Sequence, residues 1–314
     1  MIDLRQGDCL ELLKDIPDGS VDLILTDPPY GTIKGMELKG WDASKTVWDS
    51  AIDSDRMWHE INRVLRVNGC CILFSQDPYT SELMNNGHNN VPFSYRLVWD
   101  KKHYASPLGC NKFPVNYYED VCVFFKKHTK HDFKGTHPLR PYFADVLDFI
   151  GKPKSELMQT VGQRIDHCTR VNSTQFGLCT EATYNELIER YGISKMQGFR
   201  EYAELVEINR AYSRVFNLHD GKKYKSNILE YKKDYNGYHP TQKPVALLED
   251  LIKTYSNEGD TVLDFTMGSG STGVAAINTN RKFIGIELDP DYFKIAEERI
   301  NQAAEKGGFL IPII

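Results

Sequence analysis

The fold is indicated by the stretch Thr261-Val-Leu-Asp-Phe-Thr-Met-Gly-Ser-Gly-Ser-Thr-Gly273, in which a short apolar run is followed by three glycines. The run Thr261–Phe265 is typical of a buried strand, and a helix is expected to follow the glycines. Gly268, Gly270 and Gly273 allow a tight turn whose backbone can approach a ligand closely. A strand, a glycine-rich turn and a helix in this order predict a nucleotide-type binding site.

A second apolar run, Phe283-Ile-Gly-Ile-Glu287, ends in an acid. A carboxylate at this point can accept hydrogen bonds from both hydroxyls of a ribose, as in folds where an acid follows the glycines by about 20 residues. The two runs together favour an adenosine-type cofactor over a purely structural turn. Both NAD and S-adenosylmethionine remain compatible with this pattern.

Apolar runs alternate with helical patterns along much of the chain. The runs are apolar throughout rather than alternating, which favours strands buried on both faces of a parallel sheet. The apolar spacing of amphipathic helices occurs in three segments, Asp53–Val67, Pro244–Tyr255 and Pro290–Ile300. This alternation predicts an α/β fold with a doubly wound, mostly parallel sheet. The predicted strands are Val21–Thr26, Cys70–Ser75, Tyr95–Trp99, Asp120–Phe125, Thr261–Phe265 and Lys282–Glu287.

The stretch 130–235 interrupts the alternation. It contains few strand patterns and two clear helical ones. Thr180 is positioned to cap a helix that ends at Gly192, and Phe199–Phe216 has an apolar face. We therefore predict a mainly helical insertion at 130–235 between two halves of one domain, 1–129 and 236–314.

Asp27-Pro28-Pro29-Tyr30 directly follows the predicted strand Val21–Thr26. Two consecutive prolines fix the backbone and remove two N–H donors, so a carbonyl there faces a ligand as a pure acceptor. This carbonyl and the Asp27 carboxylate suit the two hydrogens of an exocyclic amine. Tyr30 offers a ring for stacking, worth about 1–3 kcal/mol to an unstacked base. The motif favours a site for a planar, amine-bearing ring, although a buried capping acid is an alternative interpretation of Asp27.

Composition limits the class of protein. Of 314 residues, 41% are hydrophobic and 26% are charged, as in soluble globular proteins. No apolar run approaches the roughly 20 residues that span a bilayer, and the N-terminus lacks a signal-peptide pattern, so we expect a cytoplasmic protein. Seven scattered cysteines without a C-x-x-C pair favour free thiols. Zinc on His167, Cys168 and Cys179 is disfavoured by the ligand spacing, and no metal is expected.

The net charge of −5 argues against a uniformly basic nucleic-acid binder, but the basic residues cluster. Eight Lys or Arg face three acids within 101–140, and seven face two within 210–233. Such patches fit a phosphate-binding face, and a solvated surface is an equal alternative. The lysines predicted to contact nucleic-acid phosphates are Lys101, Lys102, Lys126, Lys127, Lys130, Lys222, Lys223 and Lys225.

Together these motifs resemble the DNA amino-methyltransferases, which methylate adenine N6 or cytosine N4 with S-adenosylmethionine. Asp27-Pro-Pro-Tyr30 resembles their catalytic motif, and Phe265-Thr-Met-Gly-Ser-Gly270 resembles their F-x-G-x-G cofactor motif, shifted by one residue. Gly7-Asp8-Cys9 and His239-Pro-Thr-Gln-Lys-Pro244 resemble two further family segments. A catalytic motif that precedes the glycine motif is typical of the β class, and phage- or prophage-type members are the most similar. The resemblance is weak across 130–235.

The resemblance implies a circularly permuted, Rossmann-like methyltransferase fold, S-adenosylmethionine as cofactor and double-stranded DNA as partner. The catalytic half is then 1–129, the target-recognition region 130–235 and the cofactor-binding half 236–314. The target base leaves the duplex, Tyr30 stacks on it, and Asp27 and the Pro28 carbonyl accept its amine hydrogens before in-line attack. The implied catalytic residues are Asp27, Pro28, Pro29 and Tyr30. The implied cofactor residues are Asp8, Cys9, Asp27, Thr241, Lys243, Asp264, Phe265, Thr266, Met267, Gly268, Ser269, Gly270, Ser271, Thr272, Glu287 and Leu288.

Several alternatives stay open at this level. By analogy, Asp rather than Ser at the start of the catalytic motif favours adenine N6 over cytosine N4. An RNA or protein amine methyltransferase, an NAD-dependent oxidoreductase and a non-catalytic DNA-binding regulator are the other candidates, although the oxidoreductase gives Asp27–Tyr30 no role. The loop Gly31–Ser50, with Trp41 and Trp48, is predicted either to close over the base or to pack on the core. A homodimer and a cognate restriction endonuclease, as in restriction-modification, are open questions.

Overall fold

The computed structural model describes residues 1–30, 51–105, 110–112, 114–127, 137–173, 175–219, 221, 223–234 and 242–307. The predicted loop Gly31–Ser50 lies outside these ranges. The chain divides into two compact units, Met1–Lys127 with Arg214–Ile314, and His128–Ser213. The second unit starts close to the predicted insertion but ends at Ser213 rather than at residue 235, because Ile228–Glu230 adds a strand to the sheet of the first unit.

The first unit is built on a sheet whose described strands are ordered β1-β8-β7-β2-β3-β5-β4-β6. β5 is antiparallel to β3 and to β4, whereas the other neighbouring strands are parallel. The predicted α/β fold with a doubly wound, mostly parallel sheet is thereby confirmed. The strands are β1 Ile2–Gln6, β2 Val21–Thr26, β3 Leu65–Ser75, β4 Phe93–Ala105, β5 Asn116–Phe125, β6 Ile228–Glu230, β7 Thr261–Asp264 and β8 Lys282–Glu287.

Four strands depart from the sequence prediction. β3 begins at Leu65, inside the predicted helix Asp53–Val67, which ends at Val64. The run Asp120–Phe125 was expected in a parallel sheet, but it forms the end of the antiparallel β5. An apolar run reports burial on both faces and not strand direction, so the pattern could not separate the two cases. β1 and β6 were not predicted, because Ile2–Gln6 mixes polar and apolar residues and β6 has three residues.

Helices of the first unit cover both faces of the sheet. The helices of the whole described chain are α1 Cys9–Leu12, α2 Ser54–Val64, α3 Tyr79–Asn86, α4 Leu139–Ile150, α5 Lys154–Thr160, α6 Glu181–Tyr191, α7 Tyr202–Tyr212, α8 Val245–Tyr255, α9 Ser271–Asn278 and α10 Pro290–Lys306, and α4 to α7 belong to the second unit. Leu23 and Leu25 of β2 share a core with residues of α8, α9 and α10, whereas Ile24 shares one with residues of α1, α2 and α3. Since both faces are buried, the carboxyl ends of the strands are the place where such a fold binds ligands.

The second unit is mainly helical, as predicted, and contains α4 to α7. Thr180 caps α6 through the Thr183 amide, and Gly192 ends this helix with a left-handed φ of 62°. Tyr142, Phe143 and Tyr184 belong to a hydrophobic core within this unit. In the described part of the chain, no helix has the length and apolar character needed to cross a membrane.

Candidate active site

The two sequence motifs meet at one edge of the sheet. β2, β7 and β8 are neighbouring parallel strands, so their carboxyl ends at Thr26, Asp264 and Glu287 lie side by side. Thr26 Oγ1 donates to Asp264 Oδ1 at 2.6 Å, and Thr266 Oγ1 donates to the carbonyl of Asp27 at 3.1 Å. Segments 238 positions apart in the chain therefore form one continuous hydrogen-bonded site.

Both carboxylate oxygens of Asp27 accept a hydrogen bond. The Tyr30 hydroxyl donates to Oδ1 at 2.6 Å, and the Lys243 ammonium donates to Oδ2. Burial raises the pKa of Asp27, and this effect exceeds the opposite effect of Lys243. The ring of Tyr30 lies 5.3 Å, centroid to centroid, from that of Tyr79 at the start of α3. The Asp27 carboxylate thus lies beside a pair of tyrosine rings, Tyr30 and Tyr79. The sequence motifs did not identify Tyr79.

An ionic cluster that the sequence did not predict extends from Asp27. Lys243 Nζ lies 3.2 Å from Glu119 Oε2, and Lys101 Nζ lies 3.3 Å from Glu119 Oε1. Burial raises the pKa of Glu119, but Lys243, Lys101 and Lys233 outweigh burial, so this pKa lies below its usual range. Burial lowers the pKa of Lys243, but the carboxylates of Asp27 and Glu119 raise it above its usual range. The net shift of each pKa favours the charged forms of Glu119 and Lys243.

The position of Glu119 follows from the direction of β5. Ser75, at the carboxyl end of β3, is paired with Asp120 in the antiparallel register of β3 and β5. The first half of β5 therefore reaches the same edge as the carboxyl ends of the parallel strands. The sequence does show an acid, Glu119, shortly before the apolar run Val121–Phe125. Only the direction of β5 reveals that this acid lies at the edge of the sheet that carries the site.

The glycine turn follows β7. Gly268 and Gly270 have left-handed φ values of 51° and 81°, so the turn requires glycine at both positions. The Gly268 amide donates to Glu287 Oε2 at 2.8 Å, and the Asp289 amide donates to Oε1 at 2.9 Å. Each oxygen retains a second lone pair, so Glu287 can still accept from a ribose. Burial raises the pKa of Glu287.

Arg299 holds the same turn from α10. Its Nη1 donates to the Ser269 hydroxyl at 2.9 Å and to the Ser269 carbonyl, and it lies 3.4 Å from the Ser271 hydroxyl. A guanidinium presents several donors in a rigid plane and therefore fixes several acceptors at once. Sequence reasoning did not identify Arg299, since a basic residue within an amphipathic helix is usually exposed to solvent.

The stability of this site is expected to depend on pH through Asp264. Burial raises the pKa of this carboxyl from 3.8 to about 6, although hydrogen bonds from Thr26 and Thr272 lower it. The folded protein then binds the proton more tightly than the unfolded chain, so stabilisation present at low pH is lost as the pH rises through 6. Relative to Asp264→Asn, the free energy of unfolding of the natural protein should fall by about 1.4 kcal/mol between pH 5 and pH 7.5.

Urea unfolding of both proteins at the two pH values measures this difference. The subtraction removes the titration of every other group, because both proteins share those groups. A difference that does not change with pH would contradict the raised pKa of Asp264.

Comparison with known proteins gives the family. A family model, N6_N4_Mtase, described as DNA methylase, matches residues 21–298. The chain belongs to this DNA methylase family. The resemblance that we inferred from the motifs is thereby confirmed. The activity of this chain is the methylation of DNA at an exocyclic amino group, which is adenine N6 or cytosine N4.

Relatives of this DNA methylase cover nearly its full length. It is 40% identical over 321 residues to the Type II methyltransferase M2.LlaDCHI of Lactococcus lactis subsp. cremoris, with 97% of this chain and 91% of that protein covered. It is 29% identical over 320 residues to the DNA adenine methyltransferase YhdJ of Escherichia coli (strain K12), with 95% and 82% covered. In fold it is similar to the crystal structure of the M1.HpyAVI-SAM complex, with a TM-score of 0.55, 21% identity and 96% and 100% covered.

The remaining predicted cofactor residues of the DNA methylase lie at helix starts, in the two cores beside the sheet, or at the surface. Asp8 caps α1 by accepting from the Leu10 amide at 2.8 Å. Burial raises the pKa of Cys9 to about 12, so its thiol stays protonated. The side chains of Phe265 and Met267 pack into the cores on opposite faces of the sheet, which leaves their backbone to contact a ligand. Ser271 and Thr272 begin α9 and are buried, Leu288 is 58% exposed, and Thr241 lies outside the described residues.

Three lysines predicted to contact phosphates are engaged inside the first unit. Lys101 is 1% exposed and pairs with Glu119, Lys126 donates to the Leu65 carbonyl at 2.8 Å, and Lys225 lies 2.6 Å from Asp250. Sequence shows their charge but not the acceptors that the fold brings to them. Lys102 is exposed and pairs with Asp100 and Glu230, and Lys127 and Lys223 are exposed, while Lys130 and Lys222 lie outside the described residues.

Within the ranges that the structure describes, no group of three or more His, Cys, Asp or Glu side chains is arranged to hold a metal ion. Cys168 and Cys179 are buried free cysteines in the second unit.

Proposed function

We propose that this DNA methylase transfers a methyl group from S-adenosylmethionine to the exocyclic N6 of adenine in duplex DNA. The observation that supports this most is the direct connection of Asp27 to the glycine turn, through Thr266 Oγ1 and the Asp27 carbonyl. It brings a site suited to an amine-bearing ring next to a site suited to an adenosine-type cofactor. Such fixed proximity converts a bimolecular reaction into an effectively unimolecular one.

The residues of the glycine turn fit S-adenosylmethionine. The left-handed φ values of Gly268 and Gly270 produce the tight turn, and Glu287 offers acceptors for ribose hydroxyls. The acids Asp8, Asp264 and Glu287 at the ends of β1, β7 and β8 favour a sulfonium cation over the anionic pyrophosphate of NAD. When bound, this cofactor supplies an electrophilic methyl group. Two points disfavour an NAD-dependent oxidoreductase. The edge of the sheet is acidic, and hydride transfer would give Asp27 no role.

The catalytic motif would act on the base through hydrogen bonds and stacking. Asp27 accepts one hydrogen of the exocyclic amine and the Pro28 carbonyl accepts the other, which directs the nitrogen lone pair towards the methyl group. Tyr30, supported by Tyr79, provides a stacking surface. Stacking worth about 1–3 kcal/mol offsets part of the few kcal/mol needed to take the base out of the duplex. The motif residues Pro28 and Pro29 keep the backbone rigid at this point.

Adenine is favoured over cytosine by two observations. Asp27 is an acid, and the relative YhdJ is named a DNA adenine methyltransferase. Methylation of cytosine N4 is the second candidate, because the family label covers both amino groups.

The product of the reaction decides between these bases. Duplex DNA is incubated with the protein and S-adenosylmethionine that carries a labelled methyl group, then digested to nucleosides and separated by chromatography. We expect the label in N6-methyladenine. Label in N4-methylcytosine would replace the adenine assignment, and incorporation into RNA but not DNA would refute the proposal. Protein-free reactions and the variant Asp27→Ala serve as controls.

The second unit is proposed to read the target sequence. It is inserted between the two motifs, it has a hydrophobic core of its own, and it contains no residue of the catalytic motif or of the glycine turn. Exposed Lys127 and Lys223 of the first unit would contact phosphates in a salt-dependent manner. Detection of methylated bases in DNA from cells that express the protein identifies the sequence. M2.LlaDCHI is named a Type II methyltransferase, so a cognate endonuclease is part of this proposal.

A further inference from the structure

Each carboxylate oxygen of Asp27 already accepts one hydrogen bond before a base arrives. Its Oδ1 accepts from the Tyr30 hydroxyl and its Oδ2 accepts from the Lys243 ammonium. An exocyclic amine that donates to this carboxylate either shares an oxygen with one of these donors or replaces that donor. In the base-free site the Lys243 ammonium donates an N–H to Asp27 Oδ2, which is the kind of hydrogen bond that the exocyclic amine would make.

Lys243 is the donor that has a second carboxylate within reach. Its Nζ lies 3.2 Å from Glu119 Oε2, and this oxygen is buried without a well-directed hydrogen bond. Glu119 Oε2 can thus form a better hydrogen bond if the ammonium moves towards it. In the described part of the chain, the Tyr30 hydroxyl contacts Asp27 as its acceptor. Lys243 therefore has a second carboxylate beside it that can accept its hydrogen bond.

Glu119 is held in place from its other side. Lys101 Nζ, in a side chain that is almost completely buried, lies 3.3 Å from Glu119 Oε1. Asp27, Lys243, Glu119 and Lys101 make a set of two carboxylates and two ammonium groups. A buried charge that loses its partner is strongly destabilising, whereas a shift of Lys243 within this set leaves the net charge of the cluster unchanged.

We propose that Glu119 is a positioning residue that receives Lys243 when the exocyclic amine of the target base takes its place on Asp27. This inference rests on the proposed function and adds a role for two residues of the same site. Lys243 occupies Asp27 in the base-free enzyme and moves to Glu119 in the base-bound enzyme. Glu119 does not contact the base and acts through Lys243.

The variant Glu119→Gln tests this exchange, because it keeps the size of the side chain and removes its charge. Affinity is measured for two duplexes that contain the mapped target site. One has adenine at the target position, and the other has 2-aminopurine, which lacks the 6-amino group. We expect Glu119→Gln to weaken binding of the adenine duplex about 10–100-fold relative to the 2-aminopurine duplex, since a hydrogen bond to a charged partner is lost in the adenine complex alone.

A merely structural role of Glu119 would weaken both duplexes equally, and that result, or no effect on either, would overturn the inference. Glu230→Gln is the matched control, because Glu230 also pairs with a lysine but is exposed, and we expect its affinity ratio to be that of the natural protein. Cofactor affinity of each variant verifies folding. If Glu119→Gln does not fold, Glu119→Asp retains the charge but withdraws the carboxylate from Lys243, and the same selective loss is expected.

The proposed function and this inference fail in different ways. If the natural protein transfers no methyl group to DNA, the proposed function is wrong. If it transfers the methyl group normally while Glu119→Gln keeps the affinity ratio and the rate of the natural protein, the exchange of Lys243 is wrong and the proposed function stands.

Discussion

Replacement of Asp27 by alanine is expected to lower the rate of methyl transfer about 1,000-fold and to leave cofactor affinity within a few-fold of that of the natural protein. The variant removes both carboxylate oxygens that meet Tyr30 and Lys243. A lost hydrogen-bond acceptor or donor at a reacting group typically costs a factor of about 100–1,000 in turnover. Asp27 is also among the implied cofactor residues, but the glycine turn after β7 and Glu287 at the end of β8 are unchanged, so most of the binding of S-adenosylmethionine should persist.

Labelled methyl incorporation into duplex DNA measures the rate, and calorimetric titration measures cofactor affinity. Asp55→Ala is a suitable control, since Asp55 is an exposed acid in the first turn of α2. Asp27→Asn keeps one oxygen acceptor and should retain more activity than Asp27→Ala. If Asp27→Ala kept more than about a tenth of the natural rate, Asp27 would have no place in the chemical step.

Gly270→Ala is expected to destabilise the protein by about 2–5 kcal/mol and to weaken cofactor binding. Two effects combine at this position. Its φ of 81° is left-handed, which costs a residue with a side chain about 1–2 kcal/mol. A Cβ there would also lie 2.9 Å from the Cα and Cβ of Ala296 in α10, and such overpacking costs about 1–3 kcal/mol more. Relief requires the glycine turn or α10 to move.

Gly259→Ala separates the two effects. Gly259 has a nearly identical φ of 83°, but a Cβ there would meet nothing within 4 Å. We therefore expect this variant to lose about 1–2 kcal/mol through backbone strain and to bind cofactor normally. Urea unfolding and calorimetric titration of both variants measure the contrast. Equal losses of stability would show that contact with Ala296 contributes nothing at Gly270.

The architecture was largely accessible from sequence because its signals are local. A strand of the core is an apolar run, and the caps at Thr180 and Gly192 are single residues with known preferences. The direction of β5 was not accessible, because apolar content does not distinguish a parallel strand from an antiparallel one. The short strand β6 was missed for lack of length, and with it the end of the second unit at Ser213.

The lysines illustrate the limit for electrostatics. Lys101 and Lys127 look alike in a basic stretch, yet Lys101 is buried against Glu119 whereas Lys127 is exposed. Their difference arises from partners that lie far away in the sequence. Charge counts therefore identified a basic region but could not select which of its members remain available to a phosphate.

The sequence by itself determined the two motifs, the alternation of strands and helices and the family, because each of these depends on neighbouring residues. Tertiary structure alone decided that Asp27 meets the glycine turn through Thr266, and that Lys243 and Glu119 stand beside it. Those contacts join strands whose order in the sheet differs from their order in the chain. Since no local pattern encodes strand order, the ionic cluster at the catalytic motif became visible only in the folded protein.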